Sequence, residues 1–344
     1  MIRWMHRLIG CGALLLAATV PAGAEPGGPR VDSAGMELEA PGPLGSLKGT
    51  YRPPAQGKPV ALIIPGSGPT DRDGNNPAGL ASSTYRLLAE GLAQRGIGTL
   101  RIDKRGMFGS AGAVADPNAV TIDDYVADIA RWKAAALARS ARDCVWLIGH
   151  SEGGLVALAS AARSPESTCG VILLAAPGRP LGTLLREQIT RNPANAPVAE
   201  EAGRHIARLE QGQTVAKEEI NPLLLPLFAP QVQGFLIDAM ARDPARLAGE
   251  TVLPMLIVQG GSDLQVALAD GQALAAARPD ARLLVLDGVS HTLKRVEGEG
   301  LSANYRTYFD TALPLDPRVV DAVAEFMQQG SAAPADRAGM RRTR

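Results

Sequence analysis

The spacing of apolar positions along the chain alternates between two periods. Short, largely apolar runs at 60–64, 98–102, 144–148, 170–175, 253–259 and 282–286 have the pattern of strands buried on both faces. Between them, leucine, valine and isoleucine recur at helical spacing. Leu87, Leu88 and Leu92 mark a helix over 83–95, Val126, Ile129 and Trp132 a second one, and the run at 155–162 a third. Thr121 with Asp124 three residues on forms a capping box. Pro317 opens a last helix through Val320, Val323 and Phe326. Residues 31–52 read as a hairpin around a Pro/Gly turn. Strand–helix alternation of this kind predicts an α/β fold with a mostly parallel central sheet, flanking helices and an antiparallel edge. The stretch at 180–250 breaks the alternation with helical segments at 184–191, 199–209 and 232–241 and a proline-rich link at 221–226. An insertion between two strands at that place reads as a helical cap over one edge of the sheet. No internal repeat is present.

The front of the chain changes the picture of where it works. Arg3 and Arg7 precede an apolar stretch at 8–20, which ends in Ala22-Gly23-Ala24. This is the basic, apolar, small-x-small order of an export signal. Residues 1–24 are therefore expected to be a signal peptide cut after Ala24, residues 25–330 the folded domain, and 331–344 a disordered tail. The apolar stretch is too short for a comfortable membrane span. Leu8-Ile9-Gly10-Cys11 resembles a lipoprotein acylation box but precedes the apolar stretch, so a lipoprotein is the lesser alternative. The mature chain is expected to be soluble, exported to a bacterial periplasm and free of stable membrane insertion. Lysine plus arginine number 35 and aspartate plus glutamate also 35. A formal net charge of zero argues against a nucleic-acid partner.

Cys144 and Cys169 remain once the signal is gone, and each stands at the start of a predicted strand. If those strands are neighbours, the sulfurs begin side by side. An oxidising compartment then favours a disulfide over two buried thiols. Closing the loop would stabilise by roughly 3 kcal/mol in the chain-entropy treatment.

The chemistry centres on Gly149-His150-Ser151-Glu152-Gly153. A G-x-S-x-G sequence between a strand and a helix is the nucleophile elbow of serine hydrolases. Its glycines allow the tight approach of strand and helix, and the serine is held in a strained turn above the sheet edge. The helix that follows points its N–H groups at the same place. A serine hydroxyl needs a base. Of the 4 histidines, His6 leaves with the signal, His150 is expected to turn away from the serine, and His205 lies in the cap. His291 follows the last strand at the catalytic edge and is the candidate base. The carboxylate that orients it is expected after the preceding strand, in the order serine, acid, histidine. Asp263 holds that place, with Asp270, Asp280 and Asp287 as lesser candidates. Charge developing on the substrate oxygen needs two backbone donors. Glu152 supplies one, its side chain being expected to cap its own helix. Ser67 is the candidate for the other, with Gly66 and Gly68 as alternatives. The stretch Thr70-Asp71-Arg72-Asp73-Gly74-Asn75 fails the spacing of a calcium loop and reads as a self-paired polar loop, so no metal is expected. Residues 103–106 are either a structural turn or a pocket wall. The chemistry requires no cofactor.

Taken together these stretches resemble the α/β-hydrolase superfamily. The run Ile64-Pro65-Gly66-Ser67-Gly68-Pro69-Thr70-Asp71-Arg72-Asp73-Gly74-Asn75, with Gly149-His150-Ser151-Glu152-Gly153-Gly154 later, is similar to one branch of it. That branch is the bacterial carboxylesterases with a Pro-Gly-Ser-Gly-Pro-Thr-Asp-Arg-Asp-Gly-Asn loop, akin to serine aminopeptidase-like and acyl-thioesterase-like hydrolases. The resemblance covers about 44–327 and is weakest in the cap. It implies an α/β-hydrolase fold, Ser151, Asp263 and His291 as a triad, and Ser67 and Glu152 around the oxyanion. It implies a serine carboxylesterase that hydrolyses short- to medium-chain acyl esters, small molecules, through an acyl-enzyme. The apolar run at 223–228 is expected to limit the size of the acyl group. Peptidase, thioesterase or lactonase activity on the same residues are the alternatives, and a non-catalytic envelope-binding protein is the rival of a different class. The sequence does not reveal an oligomeric state.

Overall fold

The computed structural model describes residues 35–331. The expected signal peptide lies outside the described residues, as does the expected tail apart from Ser331, the last residue of the final helix. The chain opens with β1 (Met36–Pro41) and β2 (Ser46–Arg52), the predicted hairpin. It continues through β3 (Val60–Ile64), α1 (Thr84–Ala93), β4 (Gly98–Ile102), α2 (Ile122–Ser140), β5 (Val145–His150), α3 (Glu152–Arg163) and β6 (Thr168–Leu174). An insertion carries α4 (Leu181–Arg191), α5 (Ala196–Glu210), α6 (Leu225–Phe228) and α7 (Pro230–Met240). The chain closes with α8 (Pro244–Glu250), β7 (Met255–Gly260), α9 (Leu268–Ala277), β8 (Arg282–Leu286), α10 (Gly300–Phe309) and α11 (Pro317–Ser331).

The strands form one 8-stranded sheet in the order β1-β2-β4-β3-β5-β6-β7-β8. The pairs β1/β2 and β2/β4 are antiparallel and the rest are parallel. Burial on both faces explains the apolar runs of the inner strands, whereas β8, expected to be buried likewise, lies at the sheet edge with Arg282 and Val285 exposed. In β3, Val60, Leu62 and Ile64 enter the core on one side of the sheet, while Ala61 and Ile63 enter the core on the other. In β5, Val145 and Leu147 face the first core, and Trp146 and Ile148 the second. The capping box at α2 forms as the sequence predicts, with the Thr121 hydroxyl accepting from Asp124 N and the Asp124 carboxylate accepting from Thr121 N.

From β3 the chain goes first to β4 on one side and then to β5 on the other. The carboxyl ends of β3 and β5 are therefore the topological switch point, where open α/β sheets place their ligand crevice. Four segments meet at that edge: the loops after β3, β5, β7 and β8.

Two boundaries differ from expectation. The cap was expected to run to residue 250, but α8 packs against α3 and α9 and puts Leu247 and Ala248 into the main core. The separate cap core is built by α4 to α7, among them Leu185, Ile206, Phe228 and Leu236. Helix α10 was not expected at all. Two glycines, Gly298 and Gly300, start it, and its inward residues Asn304 and Thr307 are polar, which hides its apolar stripe. Cys144 and Cys169 lie on the neighbouring β5/β6 edge, where the register skips Cys169 between Thr168 and Gly170. Such a bulge leaves their Cα atoms 5.2 Å apart.

Arg105, just beyond β4, holds α2 against the sheet edge through Asp128, at 2.6 and 2.7 Å, and through Asp124 at 2.7 Å. Asp128 is buried. Arg105→Met should therefore cost about 3–5 kcal/mol in denaturant unfolding, because it strands a buried carboxylate. The double change Arg105→Met/Asp128→Leu should recover most of that loss. A single variant within about 1 kcal/mol of wild type would mean that the pair does not anchor α2.

Candidate active site

Ser151 sits at the apex between β5 and α3 with φ 53° and ψ −127°, a left-handed conformation that a non-glycine residue adopts only under constraint. The constraint is the absence of side chains around it. A Cβ on Gly149 would stand 2.3 Å from the Gly153 carbonyl oxygen, and one on Gly153 would stand 2.2 Å from that of Ile64. Ser151 N donates to Leu174 O at the end of β6, at 3.0 Å.

Because Ile64 pairs with Gly149, the loop after β3 begins beside the elbow. A Cβ on Gly66 would be 3.1 Å from that of Ser151. The Gly66 N–H is already used, donating to the Tyr85 hydroxyl at 2.8 Å. This removes Gly66 as an oxyanion donor. The amides of Ser67 and Glu152 have no acceptor among the described hydrogen bonds, and both residues line a cavity together with Ser151.

Asp263 follows β7, and its carboxylate accepts from His291 Nδ1 at 2.8 Å. Its other oxygen accepts from the amides of Gln265 at 2.8 Å and Val266 at 2.9 Å. The side chain of Asp263 is fully buried. A carboxylate only accepts, so Nδ1 carries a proton, and in the neutral ring Nε2 keeps its lone pair. His291 and Ser151 line one cavity. They are not hydrogen bonded to one another in this structure, and such contacts often close only in the substrate complex. The carboxylates of two other acidic candidates are used elsewhere. Asp270 clamps Arg179 at 2.8 Å and the Gly178 amide at 3.1 Å, and Asp280 pairs with Arg278 at 2.9 Å. The Asp287 backbone carbonyl accepts from Arg318 at 3.0 Å.

Several side chains are placed differently from expectation. His150 does not turn away from the site. It lies buried against His291, ring centroids 4.8 Å apart. Its Nε2 donates to the His291 carbonyl at 2.8 Å, and its Nδ1 accepts from the Tyr85 hydroxyl at 3.0 Å. Burial, reinforced by the neighbouring His291, pushes its pKa down to about 3, so the ring is neutral. The side chain of Glu152 does not cap its helix. It pairs with Lys104 Nζ at 3.3 Å, and the same ammonium donates to Gly66 O at 2.7 Å. Residues 103–106 are therefore structural: Asp103 accepts from Arg72 at 2.7 Å, and Lys104 and Arg105 make the bonds already given. The loop at 70–75 is self-paired only in part: Asp71 accepts from the amides of Asp73 and Asn75, both at 2.9 Å, but Arg72 and Asp73 pair outside it with Asp103 and Arg101. The loop also caps α1, since Asp73 O accepts from Tyr85 N at 3.1 Å.

The unexpected α10 braces the edge. Asn304 donates to Ser262 O at 2.6 Å, Thr307 O accepts from the Thr292 hydroxyl at 3.1 Å, and the Tyr308 hydroxyl accepts from Gln265 at 2.9 Å. The loops of Asp263 and His291 are thus tied to one helix. The repeat of Asn304, Tyr305 and Tyr308 at helical spacing was the available signal.

Ser151 stands between two cavities. One reaches His291, Tyr85, Thr292 and Tyr308. The other runs under the cap past Leu155, Leu181, Leu184 and Val266, with Arg179 and Arg242 at its wall. The 223–228 run, expected to line the pocket, does not. Leu224 and Phe228 are buried in the cap's own core, and Leu223 is exposed. Among the described residues, no group of three or more His, Cys, Asp or Glu side chains is placed to hold a metal ion.

The sequence profile of the family described as "Serine aminopeptidase, S33" matches residues 78–297. The chain belongs to the serine aminopeptidase S33 family. The matched span contains Ser151, Asp263 and His291 and begins after the 65–75 loop. Esterase EstD of Thermotoga maritima is 29% identical over 279 residues, which cover 78% of this chain. The chain spans 62% of that relative's length. Among solved structures, an esterase from Thermogutta terrifontis is 18% identical with a TM-score of 0.53, over 86% of this chain and 100% of that one. A proline iminopeptidase from Mycobacterium smegmatis is 15% identical with a TM-score of 0.55, over 86% and 99%. At these identities the two structures share the α/β-hydrolase fold with this S33 family member.

The neutral His150 has a consequence for acid stability. Its folded pKa, about 3, lies below its ordinary value of 6.5. The unfolded chain therefore binds the extra proton first, and stability falls as pH drops through that window. In urea unfolding between about 6.5 and about 3, wild type should lose more stability than His150→Gln. Equal acid slopes in the two proteins would contradict a buried neutral ring.

Proposed function

We propose that the mature chain is an exported serine carboxylesterase that hydrolyses short- to medium-chain acyl esters. The observation that carries this reading is the buried His291–Asp263 pair at 2.8 Å, on a residue that lines one cavity with Ser151. Ser151 Oγ attacks the ester carbonyl carbon while His291 Nε2 takes the hydroxyl proton. The oxyanion accepts from the amides of Ser67 and Glu152. Asp263 stabilises the imidazolium. Collapse breaks the ester C–O bond, and the leaving alkoxide takes the proton from Nε2. A water then gives its proton to Nε2 and attacks the acyl-enzyme. The second tetrahedral intermediate releases the carboxylic acid and returns the proton to Ser151. The apolar cavity beside Leu155, Leu181 and Leu184 takes the acyl chain.

The family name and the iminopeptidase fold raise a second reading, cleavage after a free amino terminus. Charge favours the ester. A substrate ammonium needs an unpaired carboxylate. Glu152, the acidic residue lining these cavities, is paired with Lys104. Three cap glutamates are also engaged: Glu187 with Arg179 at 2.6 Å, Glu200 with Arg204 at 2.6 Å, and Glu201 with the Asn221 amide at 2.7 Å. Thioesters and lactones would use the same residues.

On a panel of nitrophenyl esters, thioesters and aminoacyl anilides, esters should be preferred. Ser151→Ala should lower kcat by at least about ten-thousand-fold and abolish labelling by a fluorophosphonate probe. Undiminished turnover by the variant would remove Ser151 from the mechanism, and a wild-type protein that neither labels nor turns over would favour the binding-protein reading. Preference for the anilides would favour the peptidase.

Export to an oxidising compartment also accounts for the cysteine pair, which the reading takes as a disulfide. The 5.2 Å Cα separation suits one. The protein recovered from the periplasm should resist thiol alkylation until it is reduced, and then take up two labels by mass. Two labels without reductant would end that part of the reading.

A further inference from the structure

The structure assigns to Lys104 a role in the reaction: its buried ammonium polarises and fixes the oxyanion hole from behind, as a positioning residue for both proposed donors. This rests on the esterase reading above. The argument turns on which peptide the lysine touches. Lys104 Nζ donates to Gly66 O at 2.7 Å. The carbonyl of Gly66 and the N–H of Ser67 belong to one peptide group, and in a trans peptide they point in opposite directions. A cation on that carbonyl therefore aims the Ser67 N–H away from the lysine. It also draws electron density from the nitrogen and makes the N–H a stronger donor, since hydrogen bonds in a chain polarise one another.

The second hand of the same ammonium reaches Glu152 Oε1 at 3.3 Å, on the residue whose own N–H is the other proposed donor. One side chain thus joins the loop after β3 to the first residue of α3. The lysine side chain is 4% exposed and that of Glu152 10%, so water screens little of the field. Tyr125 closes the space, its ring centroid 5.3 Å from Nζ. The ammonium and the carboxylate neutralise one another in the resting enzyme. The peptide dipole that the lysine sharpens acts when negative charge forms on the substrate oxygen. Lys104 therefore serves the transition state more than the ground state, and it does so without touching substrate.

The tests are Lys104→Met, which keeps the length and loses the charge, and Lys104→Arg. Lys104→Met should lower kcat about tenfold to a hundredfold, less than the roughly 10²–10³ of losing a donor outright, with KM changed little. Affinity for a trifluoromethyl ketone, which binds as the oxyanion adduct, should fall by the same factor as kcat/KM, and Lys104→Arg should restore part of both. Because Lys104→Met leaves Glu152 buried and unpaired, the double variant Lys104→Met/Glu152→Gln separates two causes. If the lost charge on the Gly66 carbonyl is responsible, the double variant regains thermal stability but stays slow. A double variant that regains wild-type kcat, or a folded Lys104→Met with wild-type kcat and ketone affinity, overturns the proposal. An inactive, unlabelled wild-type protein would instead sink the esterase reading itself.

Discussion

The site depends on how closely the turn after β5 passes the end of β3. Gly153 runs so near the Ile64 carbonyl that a methyl group would sit 2.2 Å from its oxygen. This contact presses the loop after β3 against the nucleophile and leaves the first amides of α3 facing the same point. It also holds Ser151 in a backbone conformation that costs on the order of 1–3 kcal/mol. The strain is offset by the strands on either side, since β5 is paired with β3 over Trp146 to Gly149 and with β6 over Val145 to His150. A looser junction would relax the serine and separate it from the amides of Ser67 and Glu152.

The loops around that junction are held by charge pairs more than by apolar packing. The carboxyl end of β4 supplies most of them. Arg101 pairs with Asp73 and Asp103 with Arg72, so both hold the 65–82 loop. Lys104 reaches Gly66 and Glu152, and Arg105 reaches α2. Consecutive residues of one strand end thus anchor different segments. Buried ions of this kind add little net stability against apolar replacements, but removing one partner is costly. What they provide is a single arrangement of irregular backbone, which a site built from loops requires.

This division explains what the sequence revealed and what it hid. Apolar period reports burial, so the strands, the order of the sheet-flanking helices and the elbow were legible. Position at a strand's carboxyl end then picked out Ser151, Asp263 and His291, which the fold gathers at one edge. Pairing between polar groups has no period. Nothing local to Glu152 indicates a lysine 48 positions earlier, so its side chain was misread as a cap. His150 was misjudged for the same reason, because its partners are Tyr85 and the backbone of a residue 141 positions away. Helix α10 was missed because its inner face bonds the neighbouring loops instead of entering the core, and the cap boundary because α8 looks the same in sequence whichever core it joins.

The misjudged histidine completes the site's logic. Gly66 N–H donates to the Tyr85 hydroxyl, which must then give its own proton to His150 Nδ1. That nitrogen can accept only in the neutral ring, whose Nε2–H is then committed to the His291 carbonyl. Every donor in the chain has one acceptor, so its direction is fixed. It runs from the backbone of the loop after β3 to the backbone of His291. Gly66 is therefore held on both sides, its N–H by Tyr85 and its C=O by Lys104, and the peptide that carries the Ser67 N–H has little freedom to rotate. The same neutral ring that makes His150 a liability in acid thus ties the loop after β3 to His291. Protonating it would turn Nδ1 from acceptor to donor, set it against the Tyr85 O–H, and loosen both loops together.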